Sequence, residues 1–388
     1  MSDSADPFSF ATGGQRILLI SPQPWDGFHV SKHNYAKEIA RLGNDVYFVE
    51  PPCFDLNRGS VRVAKTDYEK LHRVRYAPLF PYWVKFKFRR LFHLLMRQQA
   101  RHLTRALGFS PDLVWDFDNA FQFDDLSAFG AKFSIFHPVD DFRAGSGHKG
   151  AALVLSNSPL YVGRSGVDPQ FSCVVPHGLR SEYARHAKGV MANPGPGRRR
   201  TGPVRAGYVG NLAHPGVDWP CLIETMRAHP QAEFVFFGPY DHGRVPLQTL
   251  RQLPNCQLKG QCTAEEILLA APDIDLWLLF YDLSVTVDGG VNPHKIMEYL
   301  ATGKVVLSNW VDAHRGSDLI VMAEDQTNRS LCGLFGDVAA RTEDLNSADL
   351  QKKRAAFSLC HTYEQNIETI ARAINRTRLL RQRARPPT

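Results

Sequence analysis

Short apolar runs alternate with segments of helical periodicity along most of this chain, and this alternation constrains the fold more than any other feature. The run RILLIS, residues 16–21, lies between a glycine and a proline and predicts a buried strand. A helix is predicted from Ser31, placed as its N-cap, through Leu42, and DVYFVEPP predicts the next strand. Strand, helix and strand at this spacing form a βαβ unit, which implies a parallel sheet with a right-handed crossover.

The same alternation resumes after a segment without periodicity, and the chain of 388 residues is long enough for two domains. Residues 186–203 are rich in Gly, Pro and Arg and predict a linker or surface loop. We therefore expect two doubly wound α/β domains, over residues 16–185 and 204–360. Residues 1–15 are predicted to form a flexible tail, and residues 361–388 a final helix with a basic tail.

Several classes of protein are disfavoured by composition and by missing motifs. No apolar run reaches the roughly 18 residues that a membrane-spanning helix needs, and the N-terminus lacks the pattern of a secretory signal. The seven cysteines are scattered without a C-x-x-C pair, which predicts reduced thiols in a cytosolic protein. Neither a P-loop nor a G-x-G-x-x-G motif is present, which argues against P-loop and nicotinamide enzymes.

The positive charge is concentrated in one segment. The whole chain carries a net charge of +7, but no acidic residue lies between Glu69 and Asp112, where ten Lys and Arg residues alternate with aromatic and aliphatic ones. Residues 82–105 are typical of an interfacial segment in peripheral contact with an anionic membrane, which would place the protein at the inner face of the cytoplasmic membrane. An equally good interpretation is a core helix with a basic outer face. Nucleic-acid binding is not favoured, because no recognition motif accompanies the charge.

The segment VNPHKIMEYLATGKVVLSN carries the strongest candidate site. Asn292 suits an N-cap, Pro293 suits the first helical position, and Gly303 is placed to end the helix. Free backbone N–H groups at the helix N-terminus, together with Lys295, form a potential anion site. Glu298 shares that face and is placed to accept hydrogen bonds from two ribose hydroxyls. Spacing alone slightly favours the other interpretation, a capped amphipathic helix with an exposed Lys–Glu pair.

This segment resembles the nucleotide-sugar motif of GT-B glycosyltransferases, especially the family-four-like group of bacterial polysaccharide-biosynthesis enzymes. VVPHGL, GYVGNL and FVFFGP resemble further motifs of the group, and CHTYEQNIETI resembles its closing helix. The resemblance extends from Arg16 to about Leu380. It implies two Rossmann-like domains facing across a cleft, an N-terminal acceptor domain, a C-terminal nucleotide-sugar domain, and a final helix that crosses back to the first domain.

The resemblance also implies roles for individual residues. Glu298 matches the second glutamate of the E-x7-E motif and would bind the donor ribose. The remaining donor-binding candidates would hold the diphosphate or lie near the base: Gly210, Asn211, Gly260, Gln261, Asn292 and Lys295. The first glutamate of the motif falls at Gly290, so Asp288 is a possible substitute. A basic pair usual after the G-N-L turn is missing, which makes Arg180 a possible helper.

The first half contributes candidate catalytic residues after a predicted strand. His137, Asp140 and Asp141 follow the run FSIF, and an imidazole oriented by a carboxylate suits the general base that glycosyl transfer needs. An ordinary loop histidine hydrogen-bonded to a neighbour is the alternative for His137. Gly27, beside Trp25 in the first loop, is a candidate for closing over a substrate.

The expected function is hexosyltransferase-like glycosyl transfer from a nucleoside-diphosphate sugar, most simply a UDP-sugar. The acceptor would be a hydroxyl of a saccharide or lipid-linked molecule in polysaccharide or cell-surface glycan synthesis. No metal is expected, and the D-x-D formed by Asp116 and Asp118 is interpreted as accidental. A catalytically degenerate GT-B subunit and a nucleotide-sugar epimerase or hydrolase remain alternatives.

Overall fold

Two compact units make up the chain. One contains Met1–Pro176 and Tyr363–Thr388, and the other contains His177–Thr362. The computed structural model describes residues 7–26, 29–120, 122–138, 149–197, 202–240, 243, 245–286, 290 and 293–383.

The first unit contains a sheet of eight strands within the described residues. In chain order these are β1 (Arg16–Ile20), β2 (Asp45–Val49), β3 (Val61–Lys65), β4 (Leu71–Tyr76), β5 (Leu113–Asp116), β6 (Phe133–Phe136), β7 (Leu153–Ser156) and β8 (Ser172–Val174). Their spatial order is β3-β4-β2-β1-β5-β6-β7-β8, and only the edge pair β3–β4 is antiparallel. The central strands are buried on both faces, as continuous apolar runs require.

Five helices accompany this sheet in the described part of the unit. They are α1 (Ser31–Arg41), α2 (Val84–Lys87), α3 (Arg89–Leu107), α4 (Pro159–Ser165) and α13 (Tyr363–Arg383). The last helix packs against α1, β7 and β8, and buries Ile367, Ile370 and Ile374 along one stripe. The end of the chain therefore completes the core of the first unit.

The predicted N-terminal tail is wrong for residues 7–15. Phe8 and Phe10 are buried in the first core, and Phe10 lies against Trp115 with ring centroids 6.2 Å apart. Asn375 of α13 bonds both backbone groups of Phe8, accepting from its N–H at 2.7 Å and donating to its carbonyl at 2.9 Å. Two phenylalanines supply enough apolar surface to hold this segment in place.

The second unit has a sheet of six parallel strands in the described residues. They are β9 (Arg205–Val209), β10 (Glu233–Phe237), β11 (Cys256–Gly260), β12 (Leu276–Leu279), β13 (Val305–Ser308) and β14 (Val321–Met322), ordered β11-β10-β9-β12-β13-β14. The helices are α5 (Ser181–Ala192), α6 (Trp219–Ala228), α7 (Leu247–Leu250), α8 (Ala264–Ala270), α9 (Lys295–Ala301), α10 (Leu331–Ala340), α11 (Thr342–Leu345) and α12 (Ala348–Leu359).

The predicted linker is wrong for residues 186–192. These residues belong to α5, which packs against α8, α9 and α12 of the second unit through Tyr183, Ala187 and Val190. The division after Pro176 also differs from the predicted domain boundary at residue 185. These three buried residues of α5 have the i, i+4, i+7 spacing of one face of a helix. The Gly, Pro and Arg residues that suggested a linker lie mostly after the end of α5.

No helix in the described ranges is both long enough and apolar enough to span a bilayer.

Candidate functional site

Three glycines lie at the carboxyl edge of the second sheet, where β9, β10 and β11 end side by side. Gly210 donates its N–H to the Phe237 carbonyl at 2.8 Å, and Gly238 donates to the Gly260 carbonyl at 2.6 Å. A Cβ atom on Gly238 would lie 1.8 Å from the Gly210 carbonyl oxygen. The two backbones can approach this closely only because position 238 has no side chain.

Lys295, the first residue of α9, is brought to the same edge. Its side chain is buried and lies against Gly210, where an added Cβ would stand 2.5 Å from both Cε and Nζ. The ammonium donates to the Tyr281 hydroxyl and lies 5.0 Å and 5.6 Å from the ring centroids of Tyr281 and Tyr208. Within the described residues, no carboxylate pairs with Lys295. The charge is held by aromatic faces and one hydroxyl, which leaves it available to an anion.

The structure also pairs Glu298 with Arg180, a contact that the sequence analysis did not predict. Arg180 lies just before α5, and its Nε donates to Glu298 Oε1 at 2.8 Å. Burial lowers the pKa of Arg180, but the Glu298 carboxylate more than offsets this, so the pKa lies above its ordinary value. Arg180 is therefore paired with Glu298 in this structure, and its role as a phosphate helper stays a prediction. The second oxygen of Glu298 has no hydrogen-bond partner in the described part of the chain.

The helix that carries these residues is shorter than predicted. It begins at Lys295, and the N–H groups of Ile296 and Met297 already donate to the carbonyls of Pro293 and His294, both at 3.2 Å. Because these two N–H groups are already used within the first turn, the predicted anion site would depend more on the positive charge of the Lys295 side chain. The predicted helix end is confirmed, since Gly303 follows it with a φ of 77°.

Two aromatic residues that the sequence analysis did not single out fix α9 on the sheet. The Tyr299 hydroxyl accepts a hydrogen bond from the Val209 N–H at 2.8 Å. The Tyr299 ring stacks on Trp277 of β12, with centroids 5.0 Å apart, and the Trp277 indole N–H donates to the Thr302 hydroxyl at 2.8 Å. These contacts set the height of Lys295 above Gly210. Only a tyrosine one residue after Glu298 hinted at this role in the sequence.

The other predicted donor-site residues lie at or near this edge. Gly260 ends β11 with a φ of 77°, and Gln261 follows it as an exposed residue. Asn211 Oδ1 accepts from the Ala213 N–H at 3.0 Å and shapes the turn after β9. A Cβ on Gly290 would lie 3.0 Å from Leu283 Cδ1, so a glutamate there would require Leu283 to shift. Five predicted residues lie outside the described residues: Gly27, Asp140, Asp141, Asp288 and Asn292.

His137 is buried in the core of the first unit. Its ring packs against Trp115 and Phe117, and the Trp115 indole N–H, which can only donate, bonds Nδ1 at 3.3 Å. The Trp115 N–H occupies Nδ1, so the general-base role of His137, which stays a prediction, would have to use Nε2.

Asp116 and Asp118 shape the turn that follows β5. Asp116 Oδ1 accepts from the Asp118 N–H at 2.8 Å, and Asp118 accepts from the N–H groups of Ala120 and Gln122, both at 2.9 Å. Burial raises the pKa of Asp116 well above its usual range, and the nearby Asp118 adds to the effect. No group of three His, Cys, Asp or Glu residues in the described ranges is arranged to hold a metal ion.

A cavity of about 210 Å³ lies at the carboxyl edge of the first sheet. Its polar lining comes from Ser21, Glu50, Lys85, Asp118 and Gln122. Lys85 Nζ contacts Gln122 Oε1 at 3.2 Å, so a positive charge and two carboxylates border the same space. The sequence analysis placed none of these five residues in a site.

No protein-family model matches the chain, and no curated protein matches its sequence. Solved structures do match over nearly all of it. HepE of Anabaena in complex with UDP-glucose is 14% identical, with a TM-score of 0.60, covering 93% of this chain and 99% of that one. The α,α-trehalose 6-phosphate synthase of Burkholderia multivorans is 10% identical, with a TM-score of 0.61, covering 96% and 100%. The lipopolysaccharide outer core galactosyltransferase WaaB is 14% identical, with a TM-score of 0.58, covering 92% and 98%.

The chain has the GT-B glycosyltransferase fold. The predicted fold class, two α/β domains with parallel sheets, is confirmed. In this GT-B chain the glycine turns, Lys295 and Glu298 all belong to the second unit, where the nucleotide-sugar site was predicted.

Proposed function

We propose that this protein is a glycosyltransferase that uses a nucleoside-diphosphate sugar. The observation that carries the proposal is the buried Lys295 ammonium beside Gly210, without a carboxylate partner in the described residues. A buried charge is costly unless it is paired, so a site of this kind favours an anionic ligand. The similar structure of HepE contains UDP-glucose, which makes a UDP-sugar the first donor to test.

The roles of the donor-site residues follow from their positions. The diphosphate would lie against the backbone at Gly210 and Gly238, where no Cβ intervenes, with Lys295 beside it. Glu298 would accept ribose hydroxyls through its second oxygen while Arg180 keeps the carboxylate oriented. Gly260 and Gln261 would border the base.

In the reaction, the bond between the anomeric carbon and the diphosphate oxygen breaks, and the acceptor oxygen forms the new glycosidic bond. The acceptor proton leaves to a base. Negative charge accumulates on the leaving diphosphate, and a preorganised ammonium stabilises it more in the transition state than in the ground state. Lys295 therefore contributes to rate as well as to binding. We propose that this charge is sufficient without a metal ion.

The acceptor would be a hydroxyl of a saccharide or lipid-linked saccharide, in polysaccharide or cell-surface glycan synthesis. Supporting this, the cavity of the first unit is bordered by the carboxylates of Glu50 and Asp118, and carboxylates suit hydroxyl donors. The similar structure of WaaB is that of a lipopolysaccharide outer core galactosyltransferase. A hexose is accordingly the first sugar to test.

One observation favours a second candidate, a GT-B subunit that binds nucleotide without transferring sugar. The first glutamate of the motif is replaced by Gly290, and Leu283 occupies the space beside it. Binding and turnover must therefore be measured separately.

The test detects nucleotide binding as a change in the thermal unfolding of the protein. UDP, ADP, GDP and CDP are each added, once in a buffer that contains magnesium and once in a buffer that contains EDTA. A ligand at a hundred times its Kd adds about 2.7 kcal/mol to the free energy of unfolding, which gives a clear rise in Tm. We expect one diphosphate to stabilise the protein equally in both buffers, and Lys295→Met, which keeps the packing of the buried stem, to abolish the shift. Lys259→Met, at an exposed position on β11, is the matched control.

Turnover is then followed as release of the diphosphate from its hexose conjugate in the presence of saccharide acceptors. Binding without release would support the non-transferring subunit. The absence of a shift with all four nucleotides would overturn the proposal.

A further inference from the structure

An exposed apolar surface lies on α2, on α3 and in the turn between them. We call it the aromatic face and define it as Trp83, Phe86, Phe88, Leu91 and Leu94. Phe86 is 80% exposed, and the other four side chains are between 46% and 54% exposed. Soluble surfaces rarely gather so many large apolar side chains in one place without a partner.

Ring contacts join the aromatic side chains of the aromatic face and its surroundings in two groups. Trp83 and Phe88 meet edge to face with centroids 6.2 Å apart, and Phe86 lies 6.4 Å from Tyr82. Tyr82 in turn contacts Phe54, another exposed ring, at 5.3 Å. Each exposed ring of the aromatic face therefore contacts another ring, and all three lie within residues 83–88.

The structure separates the two interpretations that the sequence left open for residues 82–105. Helix α3 does bury one stripe, which includes Phe92, Met96 and Leu103. Leu91 and Leu94 lie on the opposite side, where they are exposed with the arginines of that helix. The core-helix interpretation accounts for the buried stripe alone, and the aromatic face needs another explanation.

The chain segment that carries the aromatic face has charges of one sign. No acidic residue occurs from Lys70 through Pro111. Arg97 is neutralised by Asp124 at 2.8 Å. The remaining arginines of α3 are exposed and have no carboxylate partner in the described ranges: Arg89, Arg90, Arg101 and Arg105. Lys87 lies over the Trp83 ring at 5.8 Å, so charge and ring share the same surface.

Aromatic rings and basic side chains without carboxylate partners among the described residues lie on one surface, and this combination matches the surface of an anionic bilayer. Rings are most stable at the level of the head groups, where the medium is partly apolar, and Lys or Arg side chains are attracted to anionic lipid just outside. A soluble polyanion would satisfy the charges and leave the rings in water. We propose that the aromatic face docks this protein onto the surface of an anionic lipid bilayer. The proposal goes beyond the transfer reaction and does not depend on it.

The experiment is cosedimentation of the full chain with vesicles of phosphatidylcholine, alone or with about one third phosphatidylglycerol. We expect binding to the mixed vesicles only, and weakening by salt, because surface charges are screened. The double variant Trp83→Ser/Phe86→Ser should bind at least about tenfold more weakly, since it removes two rings from the interface. Leu269→Ser is the matched control, because Leu269 is 81% exposed on α8 of the second unit and should leave binding unchanged.

A charge variant tests the other half of the proposal. Arg89→Glu/Arg90→Glu should also weaken binding at least about tenfold, because each basic side chain near the surface contributes about a factor of five. Arg251→Glu, at an exposed position in the second unit, should not. Thermal unfolding of each variant checks that the chain still folds.

The depth to which Trp83 enters the bilayer is measured from the quenching of its fluorescence. Lipids brominated near the head group should quench emission from the wild type, and Trp83→Phe should remove most of the quenching. Of the other five tryptophans, Trp310 is half-buried in the second unit and the rest are buried: Trp25, Trp115, Trp219 and Trp277. Lys295→Met should bind vesicles normally, so failure of the donor site cannot be mistaken for failure of docking.

Three results would overturn the proposal. This surface would be excluded as the docking site if vesicle binding did not depend on lipid charge and was unchanged in Trp83→Ser/Phe86→Ser. If the chain bound heparin as strongly as vesicles, and the double variant bound heparin as well as the wild type, the surface would be a binding site for polyanions. Self-association in sedimentation velocity that disappears in Trp83→Ser/Phe86→Ser would identify a second copy of the chain as the occupant.

Discussion

At the scale of single residues, the donor site depends on a position where no side chain fits. Gly238 has a φ of 143°, which L-residues rarely adopt, and a Cβ there would lie 1.8 Å from the Gly210 carbonyl oxygen. We expect Gly238→Ala to lower the free energy of unfolding by at least about 2 kcal/mol, because the turn must open to relieve both problems. It should also weaken nucleotide binding, since the displaced turn carries the phosphate contact that we propose. Chemical denaturation measures the loss of stability, and the rise in Tm on adding nucleotide measures the loss of binding.

The matched control is Gly189→Ala in α5 of the same unit. Gly189 has an ordinary helical conformation, and an added Cβ meets no atom within 4 Å. Alanine there should leave stability unchanged or raise it by about 0.5–1 kcal/mol, because it favours the helix. If both variants behaved alike, the close approach at Gly238 would not matter to the fold.

Residue pairs show why much of the site could not be predicted. Lys295, Glu298, Gly210 and Gly260 follow recognisable local patterns, and the sequence identified each of them. Arg180 and Glu298 are 118 residues apart, and no local pattern reports that they form an ion pair. His137 likewise follows a strand as expected, but only the fold shows Trp115 bonded to its Nδ1.

At the scale of elements, the N-terminus of α1 is stabilised differently from the prediction. Ser31 begins the helix instead of capping it, and His33 takes the capping role. Its Nδ1 accepts from the Val30 N–H at 3.2 Å, while Nε2 lies 2.9 Å from the Pro24 carbonyl. Only the neutral ring can accept at one nitrogen and donate at the other, so protonation breaks the cap.

Acid should therefore destabilise the chain through His33. Burial lowers the pKa of His33 from 6.5 to about 4, with the nearby His29 and lysines acting in the same direction. The unfolded chain takes up this proton at higher pH than the native one, so stability falls as the pH drops from about 6.5 to 4. In His33→Gln, the slope of the free energy of unfolding against pH over this range should decrease by up to about 1.4 kcal/mol per pH unit. Urea unfolding at several pH values measures it; parallel curves would exclude this role.

Elements themselves were the most predictable part of the fold. RILLIS and DVYFV correspond to β1 and β2, because strands buried on both faces require continuous apolar runs. Boundaries between units were not predictable in this way. Helix α5 belongs to the second unit because Tyr183, Ala187 and Val190 pack on distant helices, and such contacts leave no signal in composition.

At the scale of the whole molecule, the two units have separate hydrophobic cores. Trp115 and the residues of α13 belong to one core, whereas Trp277 and Tyr299 belong to the other. Every described residue of the candidate donor site lies in the second unit, including Lys295 and Gly210. Each unit can therefore respond to a ligand through its own opening equilibria.

This separation predicts where nucleotide protects the chain. With the stabilising diphosphate at a hundred times its Kd, amide exchange should slow in β9, β10 and α9 by up to about a hundredfold, corresponding to about 2.7 kcal/mol. Strands β1, β2 and β5 of the first unit should exchange at nearly their free rates, because no described donor-site residue lies among them. Hydrogen exchange read by mass spectrometry resolves these peptides, and Lys295→Met is the control that should show no protection anywhere. Protection concentrated in the first unit would place the nucleotide elsewhere, since a ligand stabilises the structure that must open to release it.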